Sequence, residues 1–493
     1  MPLHTLLSEL GGAGKKGGRS RQQRLYDQLR RAILDGVLAP GWRLPGSREL
    51  ARDHGLSRNT VIYAYELLRA EGFVVSDRRG TRVAGLAWSA PQAHEGDGTA
   101  ALTLSVRGQH MGHERLGGEH LPFAAGVPDV NLFPWRQWSR HLEHAGKSAG
   151  ARHLAYAPMG GERHLREAIA VQLGITRGIS CTADQVLVTS GAQTAIDVCG
   201  RLLADQGDVA WIESPGYPSA RAVLGASGLK LMDVPVDANG MAVPLALWRR
   251  HTPRLILVTP SHQYPMGGVM PLERRMELLG HARKHQSWIV EDDYDSDLQH
   301  TGAVIPAIQS LAAQSAVVYV GTFSKSLYPG LRIGYLVLPA WISQRFSEAA
   351  QQLFTPGQAL EQLALARFME SGDLARHLRH MRGVYRERQQ CMREQLEQHF
   401  GERVRILGGN AGVHLTCVFA AGVDDRAISH RAAELGVTAR PLSAYGPQGA
   451  GGTLIPGLVL GYGLADAQQI RHLVPRLRRA YDEVTRAASK RGE

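Results

Sequence analysis

Lys325 stands where a lysine could act as a nucleophile. It lies in Val318-Tyr-Val-Gly-Thr-Phe-Ser-Lys-Ser-Leu-Tyr-Pro-Gly-Leu-Arg-Ile-Gly334. The β-branched run from Val317 to Val320 ends in a small polar turn, and Pro329-Gly330 leads into a second apolar run, Ile333 to Leu338. This spacing predicts strand, turn, strand, with the lysine at the rim of a buried sheet. Burial on one side disfavours the ammonium and leaves a free amine able to condense with an aldehyde. The hydroxyls of Thr322 and Ser324 and the guanidinium of Arg332 supply donors and positive charge to hold a phosphate beside that amine.

Three further stretches place polar groups at the ends of apolar runs. Trp288-Ile-Val-Glu-Asp-Asp-Tyr-Asp295 reads as a strand running into carboxylates. Period-2 alternation puts Asp292 and Tyr294 on one face and Glu291 and Asp293 on the other. A buried carboxylate requires a positive partner. Val186-Leu-Val-Thr-Ser190 predicts a strand, followed at once by Gly191-Ala-Gln-Thr-Ala-Ile-Asp and a helix. The small residues Ser190, Gly191, Ala192 and Gln193 at that helix N-terminus expose N–H groups suited to a phosphate. Glu213-Ser-Pro-Gly-Tyr-Pro218 follows another apolar strand and presents Tyr217 from a turn.

The pattern Thr-x-Ser-Lys-x-x-x-Pro-Gly-x-Arg-x-Gly resembles the cofactor-lysine segment of fold-type I aminotransferases, which bind pyridoxal phosphate. That resemblance implies a Schiff base between Lys325 and the cofactor, with Tyr217 stacked on its pyridine ring. It implies that an aspartate holds the ring nitrogen and a tyrosine the 3-oxygen, roles falling on Asp292 and Tyr294, with Glu291 as a competitor for the first. Tyr156-Ala-Pro-Met-Gly160 is similar to the segment by which one subunit reaches the phosphate of its neighbour, which implies a homodimer. Two departures stand out. The enzymes' Asn-Pro-x-Gly is replaced by Thr259-Pro-Ser-His-Gln-Tyr-Pro-Met-Gly267, and no arginine lies in Gly457-Leu-Val-Leu-Gly-Tyr462, where they hold a substrate carboxylate. Arg440 is the nearest substitute for that anchor. From Leu121 on, strand-like and helical runs alternate, predicting an α/β fold with a mostly parallel sheet.

The N-terminal part carries a different signature. Gln22 to Leu38 has a helical apolar period ending near Gly36. After a turn-rich connector, Gly46-Ser-Arg-Glu-Leu-Ala-Arg-Asp-His54 predicts a short helix with Ser47 as its N-cap, and a second helix begins at Ser57. Two short helices joined at Gly55-Leu56 form a helix-turn-helix pattern. It aims Arg58, Asn59 and Thr60 at base edges, with Ser57 and Thr60 able to bind phosphate and Arg48 a further DNA-binding residue. Phe73 to Val83 predicts a hairpin whose basic tip, Arg78-Arg79-Gly80, forms a wing. The whole of 21–84 resembles a GntR-type winged helix.

The chain of 493 residues is 44% hydrophobic and 20% charged, within the soluble globular range. No run approaches a membrane span, and residues 1–20 form a Gly- and Lys-rich tail without a signal peptide's apolar core, the pattern of a cytoplasmic protein. Four cysteines without a Cys-x-x-Cys pair and histidines spread along the chain suggest neither disulfides nor a metal site. Of the net charge of +11, residues 1–85 contribute +7, from fifteen Lys and Arg against eight Asp and Glu. A basic head on a nearly balanced body points to nucleic acid at one end. Residues 85–118 read as a linker and 119–493 as the body. This order of parts is similar to the MocR/GabR family of transcription regulators. The resemblance implies a double-stranded DNA operator and an amine, an amino acid or pyridoxal phosphate itself as effector. A working aminotransferase with an accessory DNA-binding head is the rival reading. A winged-helix repressor whose body only dimerises is disfavoured by the presence of Lys325, Asp292, Tyr294 and Arg332.

Overall fold

The computed structural model describes residues 20–78, 80–85, 104–105, 108, 121–153, 155, 158–300, 306–312, 315–447 and 454–489. The chain divides into two compact units, Met1–Thr103 and Leu104–Glu493. Most of the stretch read as a linker, the basic tail before residue 20, Arg79 and Tyr156 lie outside the described residues.

In the first unit, helix α1 (Arg21–Leu34) buries Leu25, Leu29, Ala32 and Ile33, the apolar stripe its period predicts. Helix α2 (Ser47–Asp53) is capped by Gly46 rather than Ser47. The Glu49 carboxylate accepts the Gly46 N–H at 3.3 Å, so the third residue of the helix does the capping and Ser47 falls in its first turn. Helix α3 (Arg58–Ala70) starts at the N-cap Ser57, whose hydroxyl accepts from the Thr60 N–H at 3.2 Å. Val61, Ala64 and Leu68 turn inward onto α1 and α2, while Tyr65 is half-buried and donates to the Pro45 carbonyl. A hairpin of β1 (Val74–Asp77) and β2 (Gly80–Val83) closes the unit.

The second unit is built on an eight-stranded sheet. Its strands are β3 (Val186–Thr189), β4 (Val209–Ser214), β5 (Lys230–Asp237), β6 (Gly240–Met241), β7 (Leu255–Val258), β8 (Trp288–Asp293), β9 (Val317–Thr322) and β10 (Gly334–Val337). The order is β3-β10-β9-β8-β7-β4-β5-β6. The five central strands from β9 to β5 run parallel, β10 is antiparallel to both its neighbours, and β6 is antiparallel to β5. The sheet is thus mixed at its edges and parallel at its centre. Parallel strands are covered on both faces, and the side chains divide by alternation. Leu255, Leu257, Trp288 and Val290 pack with helix α5 (Ala192–Leu203, following α4, Arg163–Arg177) on one face, and Ile256, Val258 and Ile289 pack with Trp211 and Trp248 on the other. A second, four-stranded antiparallel sheet joins β11 (Arg405–Leu407), β12 (His414–Val418), β14 (Gly457–Gly461) and β13 (Arg440–Pro441). It packs into the largest apolar cluster with the long helices α6 (Asp373–Phe400) and α7 (Ala467–Ser489). Sequence periodicity did not reveal this sheet. Among the described residues no helix is long and apolar enough to cross a membrane.

Candidate cofactor site and DNA-binding face

Open parallel sheets bind ligands beyond the carboxyl ends of their strands. Here β3 ends at Ser190–Gln193, β4 leads to Tyr217, β7 to Tyr264, β8 to Asp292 and β9 to Lys325. These ends surround a cavity of about 340 Å³ lined by Ala192, Gln193, Tyr217, Asp292, Tyr294, Thr322, Ser324, Lys325, Arg332 and Arg440. Residues from five segments of the sequence reading therefore share one cavity.

The turn after β9 fixes the lysine. Thr322 Oγ1 donates to Ser324 Oγ at 3.1 Å and accepts from the Ser324 N–H, which folds the chain back. Lys325 Nζ donates to the Gly126 carbonyl at 2.6 Å. The return passes through Pro329–Leu331, and Arg332 adopts a left-handed φ of 51° before β10 begins. That strained conformation carries its guanidinium beneath Gly191, where a Cβ would lie 3.6 Å from Arg332 Cζ. Gly191 has a φ of 97°, which favours glycine, and it is the N-cap of α5, so the helix N-terminus and the guanidinium converge on one spot.

Asp292 and Glu291 separate as strand alternation requires. Glu291 turns away and accepts the N–H groups of Ile308 and Gln309 at 2.9 and 3.0 Å. Asp293, on the same face, pairs with Arg177 at 2.8 Å and accepts from Tyr319 Oη at 2.6 Å. Asp292 faces the cavity, is 4% exposed, and its Oδ1 has no hydrogen-bond partner among the described residues. Burial, with Asp293, Glu213 and Asp295 adding repulsion and Lys325 opposing, pushes its carboxyl up to about 7. Glu213 behind it is also pushed up to about 7 by burial, although Thr259 and Gln263 donate to it. A buried carboxylate without a partner is costly, and a cationic ring nitrogen in the cavity would satisfy it. An amine, an unpartnered carboxylate and an anion cradle thus fit pyridoxal phosphate.

Tyr217 lies beside Tyr264, their rings 6.1 Å apart and edge-on, and Tyr264 makes a further edge contact with Tyr294 at 5.5 Å. Tyr264 lies in the stretch that departs from the enzymes' Asn-Pro-x-Gly, and with Tyr217 and Tyr294 it forms an aromatic wall of the cavity. Arg440, the first residue of β13, lines the same cavity. The structure also joins residues that the sequence reading left apart. His262, Asp295 and His414 are all buried, with ligand-type atoms within 4.8 Å of one another. They come from a loop after β7, the turn after β8 and the start of β12, so no spacing in the sequence could mark them. All four cysteines are free thiols.

In the first unit, Arg48, Ser57, Arg58, Asn59 and Arg78 are exposed. Thr60 is 7% exposed, and its Oγ1 lies 2.9 Å from Ser57 Oγ. Both hydroxyls therefore close the helix cap, leaving Arg58 and Asn59 as the free side chains of the first turn of α3.

The comparisons follow this division. Residues 21–83 match the family of bacterial regulatory proteins, gntR family, and residues 121–451 match aminotransferase class I and II. The chain is 38% identical over 468 residues to the probable rhizopine catabolism regulatory protein MocR of Rhizobium meliloti, covering 93% of each chain. It is 32% identical to the HTH-type pyridoxine biosynthesis transcriptional regulator PdxR of Corynebacterium glutamicum, over 91% of this chain and 93% of that one. The α-aminoadipate aminotransferase LysN of Thermus thermophilus, solved with N-(5'-phosphopyridoxyl)-L-leucine, superposes with a TM-score of 0.69 at 28% identity, covering 74% of this chain and 93% of its own. A GntR unit followed by an aminotransferase fold, matched along nearly the whole length to a regulator of the same build, places this chain in the MocR/GabR family of HTH-type transcription regulators.

Proposed function

We propose that this chain is a DNA-binding transcription regulator whose second unit holds pyridoxal phosphate and reads an amine, an amino acid or the cofactor itself. The observation that carries the reading is the convergence of Lys325, the unpartnered Asp292 and the Arg332–Gly191 cradle in one cavity. That cavity belongs to a chain whose other unit is GntR-type. Pyridoxal phosphate supplies an aldehyde on an electron-withdrawing ring, which captures primary amines. The chain's own groups do the rest. The helix N-terminus at Gly191–Gln193, with Arg332, Ser324 and Thr322, holds the phosphate. Asp292 would hold the ring nitrogen as a cation, Tyr217 would stack on the ring, and Tyr294 would hold the 3-oxygen. Gly126 keeps the Lys325 amine aimed from its side of the cavity. Arg440 receives an effector's carboxylate. By analogy with the enzymes, Tyr156 of one subunit completes the site of the other in a homodimer.

A working aminotransferase is the second reading, and the relatives' names and the aromatic wall at Tyr264 weigh against it. Borohydride reduction followed by peptide mapping tests the cofactor assignment. The expected result is cofactor fixed at Lys325 and a Lys325→Ala chain that releases it on dialysis. Covalent capture persisting in Lys325→Ala would sink the assignment. Sustained turnover of a common amino acid, with DNA affinity indifferent to cofactor and amine, would establish the enzyme instead.

A further inference from the structure

Behind Tyr294 lies a pair of side chains that the reading above does not use. His262 and Asp295 are 1% and 4% exposed, and His262 Nδ1 lies 2.8 Å from Asp295 Oδ2. The same Nδ1 lies 3.0 Å from Tyr294 Oη. His414 stacks obliquely on His262 at 5.1 Å between ring centroids, and its Nε2 faces the Pro265 carbonyl at 3.2 Å. Two imidazoles and a carboxylate have the composition of a metal site. The 2.8 Å separation is a hydrogen bond, however, whereas two ligands of one tetrahedral ion, each about 2.0–2.1 Å from it, sit roughly 3.3 Å apart.

The geometry sets a proton problem with few solutions. One nitrogen faces two oxygens, and one proton at most lies on it. With the proton on Nδ1, it is donated to the Asp295 carboxylate. The Tyr294 hydroxyl then finds no lone pair on Nδ1 and must aim its own proton elsewhere, and Tyr294 lines the cavity that holds Lys325. With the proton on Nε2, Nδ1 accepts from Tyr294 and draws that proton out of the cavity. Asp295 decides between the two, since a buried carboxylate 2.8 Å away holds a proton on the facing nitrogen.

We propose that His262 is a positioning residue, its Nδ1–H held by Asp295 so that the Tyr294 hydroxyl donates into the cavity. This rests on the cofactor reading, because the oxygen that receives the proton is the 3-oxygen of the bound ring. Gly412 is built for the pair. It has a φ of 72°, and a Cβ there would lie within van der Waals conflict of Asp295 Oδ2 and 3.1 Å from His262 Cε1. The backbone thus closes over the His262–Asp295 contact and fixes its distance. Other titratable groups facing the pair are His414 and His300, both kept neutral by burial, with values pushed down to about 3 and about 4. Burial first, then Asp295, Tyr264, Asp292 and Glu213, push the Tyr294 phenol well up, so it remains a donor across the ordinary pH range.

The test is the pH titration of visible absorption in the cofactor-loaded chain. A Tyr294 donor stabilises the ring oxyanion, so Tyr294→Phe should raise the midpoint by about one to two units, the worth of one charge-assisted hydrogen bond. Asp295→Asn should raise it in the same direction, because the neutral amide no longer holds the proton on Nδ1. Removing a negative charge would by itself lower the midpoint, so the two explanations differ in sign. Adding His262→Phe to Asp295→Asn should bring the midpoint back toward the parent, since no imidazole is left to capture the Tyr294 proton. A fall or no change in Asp295→Asn, or no recovery in the double variant, overturns the proposal. Nitrogen-15 histidine spectra of the unaltered loaded chain give a second measurement if Asp295→Asn does not fold. They should show His262 protonated at Nδ1, and protonation at Nε2 overturns the proposal. A chain that takes up no pyridoxal phosphate, with no visible band and no borohydride capture at Lys325, overturns the cofactor reading as well and is told apart by that absence.

Discussion

At the scale of single residues the site is defined by where charge is left unsatisfied. Asp292 has a carboxyl pushed from 3.8 to about 7, first by burial and then by Asp293. Its value is raised in the folded state, so below about pH 4 the group is neutral whether folded or not and contributes nothing. As pH rises toward 7 the unfolded chain ionises it freely while the folded chain must bury the charge, and stability falls. In the cofactor-free chain, Asp292→Asn should therefore gain thermal stability relative to the parent between pH 4 and 7, reaching up to about 4 kcal/mol above pH 7. Melting curves of both chains across that range check it. The difference between them is the quantity to read, because buried His300, His377 and His414, lowered to about 4, 4 and 3, impose the opposite slope on each chain alone. With cofactor bound the order should invert, because Asp292 then has its cation. A flat difference curve would mean that the carboxyl is not the burden it appears from its surroundings. That Lys325 and Asp292 share a cavity was legible in the sequence, because Lys325 sits in the turn between two apolar runs and strand alternation fixes the facing of Asp292. His262 and Asp295 were not, because a contact between residues 33 apart in the chain is made by the fold and leaves no local pattern.

At the scale of elements, the site depends on how closely backbone segments approach. The strand–turn–strand around Lys325 was legible because the β-branched run Val317–Val320 and the apolar run Ile333–Leu338 lie close together in the chain with Pro329-Gly330 between them. The four-stranded sheet was not, since its strands are two to five residues long and pair across distant parts of the chain. That sheet nevertheless seats the lysine's partner. The Gly461 N–H donates to the Phe123 carbonyl at 2.9 Å, and a Cβ on Gly461 would collide with the Ala124 carbonyl oxygen. Two residues on, Gly126 accepts from Lys325 Nζ. Gly461→Ala must push this segment off β14, at a cost of about 1–3 kcal/mol for overpacking. It should also loosen retention of cofactor on Lys325, although Gly461 does not itself line the cavity, because the added Cβ would lie 3.1 Å from Ala125 Cα, which does. Gly280→Ala is the control. It lies exposed in the helix Leu272–His285 with open space around it, so alanine there should stabilise by about 0.5–1 kcal/mol. Denaturation midpoints and cofactor release rates for the two variants give the comparison. Equal behaviour would show that the Gly461 contact does not position the segment.

At the scale of the whole molecule, the charge division points to the first unit as the one that binds DNA. The first 85 residues carry +7 of the +11, and Arg48, Arg58, Asn59 and Arg78 are among their exposed side chains. With Thr60 turned into the cap of α3, we assign base reading to Arg58 and Asn59. Arg58→Ala should weaken specific operator binding by about 1–3 kcal/mol and leave random duplexes less affected. Arg78→Ala should weaken both alike and reduce the salt slope by about one counterion. These effects belong to the head alone. The body can alter them only if it has two packings that a ligand distinguishes, and a difference of 1–3 kcal/mol between them corresponds to an affinity change of about 5- to 150-fold. An effector amine that took the place of Lys325 on the cofactor would change the charge beside Gly126 and Asp292 inside the cavity. The cofactor-free chain, the chain with pyridoxal phosphate and the chain with cofactor plus amine should therefore differ in operator affinity within that range, and Lys325→Ala should abolish the response to amine while leaving the salt slope of the head intact. Footprints and salt titrations of the three states, in parent and Lys325→Ala, measure both quantities together. An amine response that survives Lys325→Ala would place the effector outside this cavity, and a changed salt slope would mean that the ligand acts on the head directly rather than through the body.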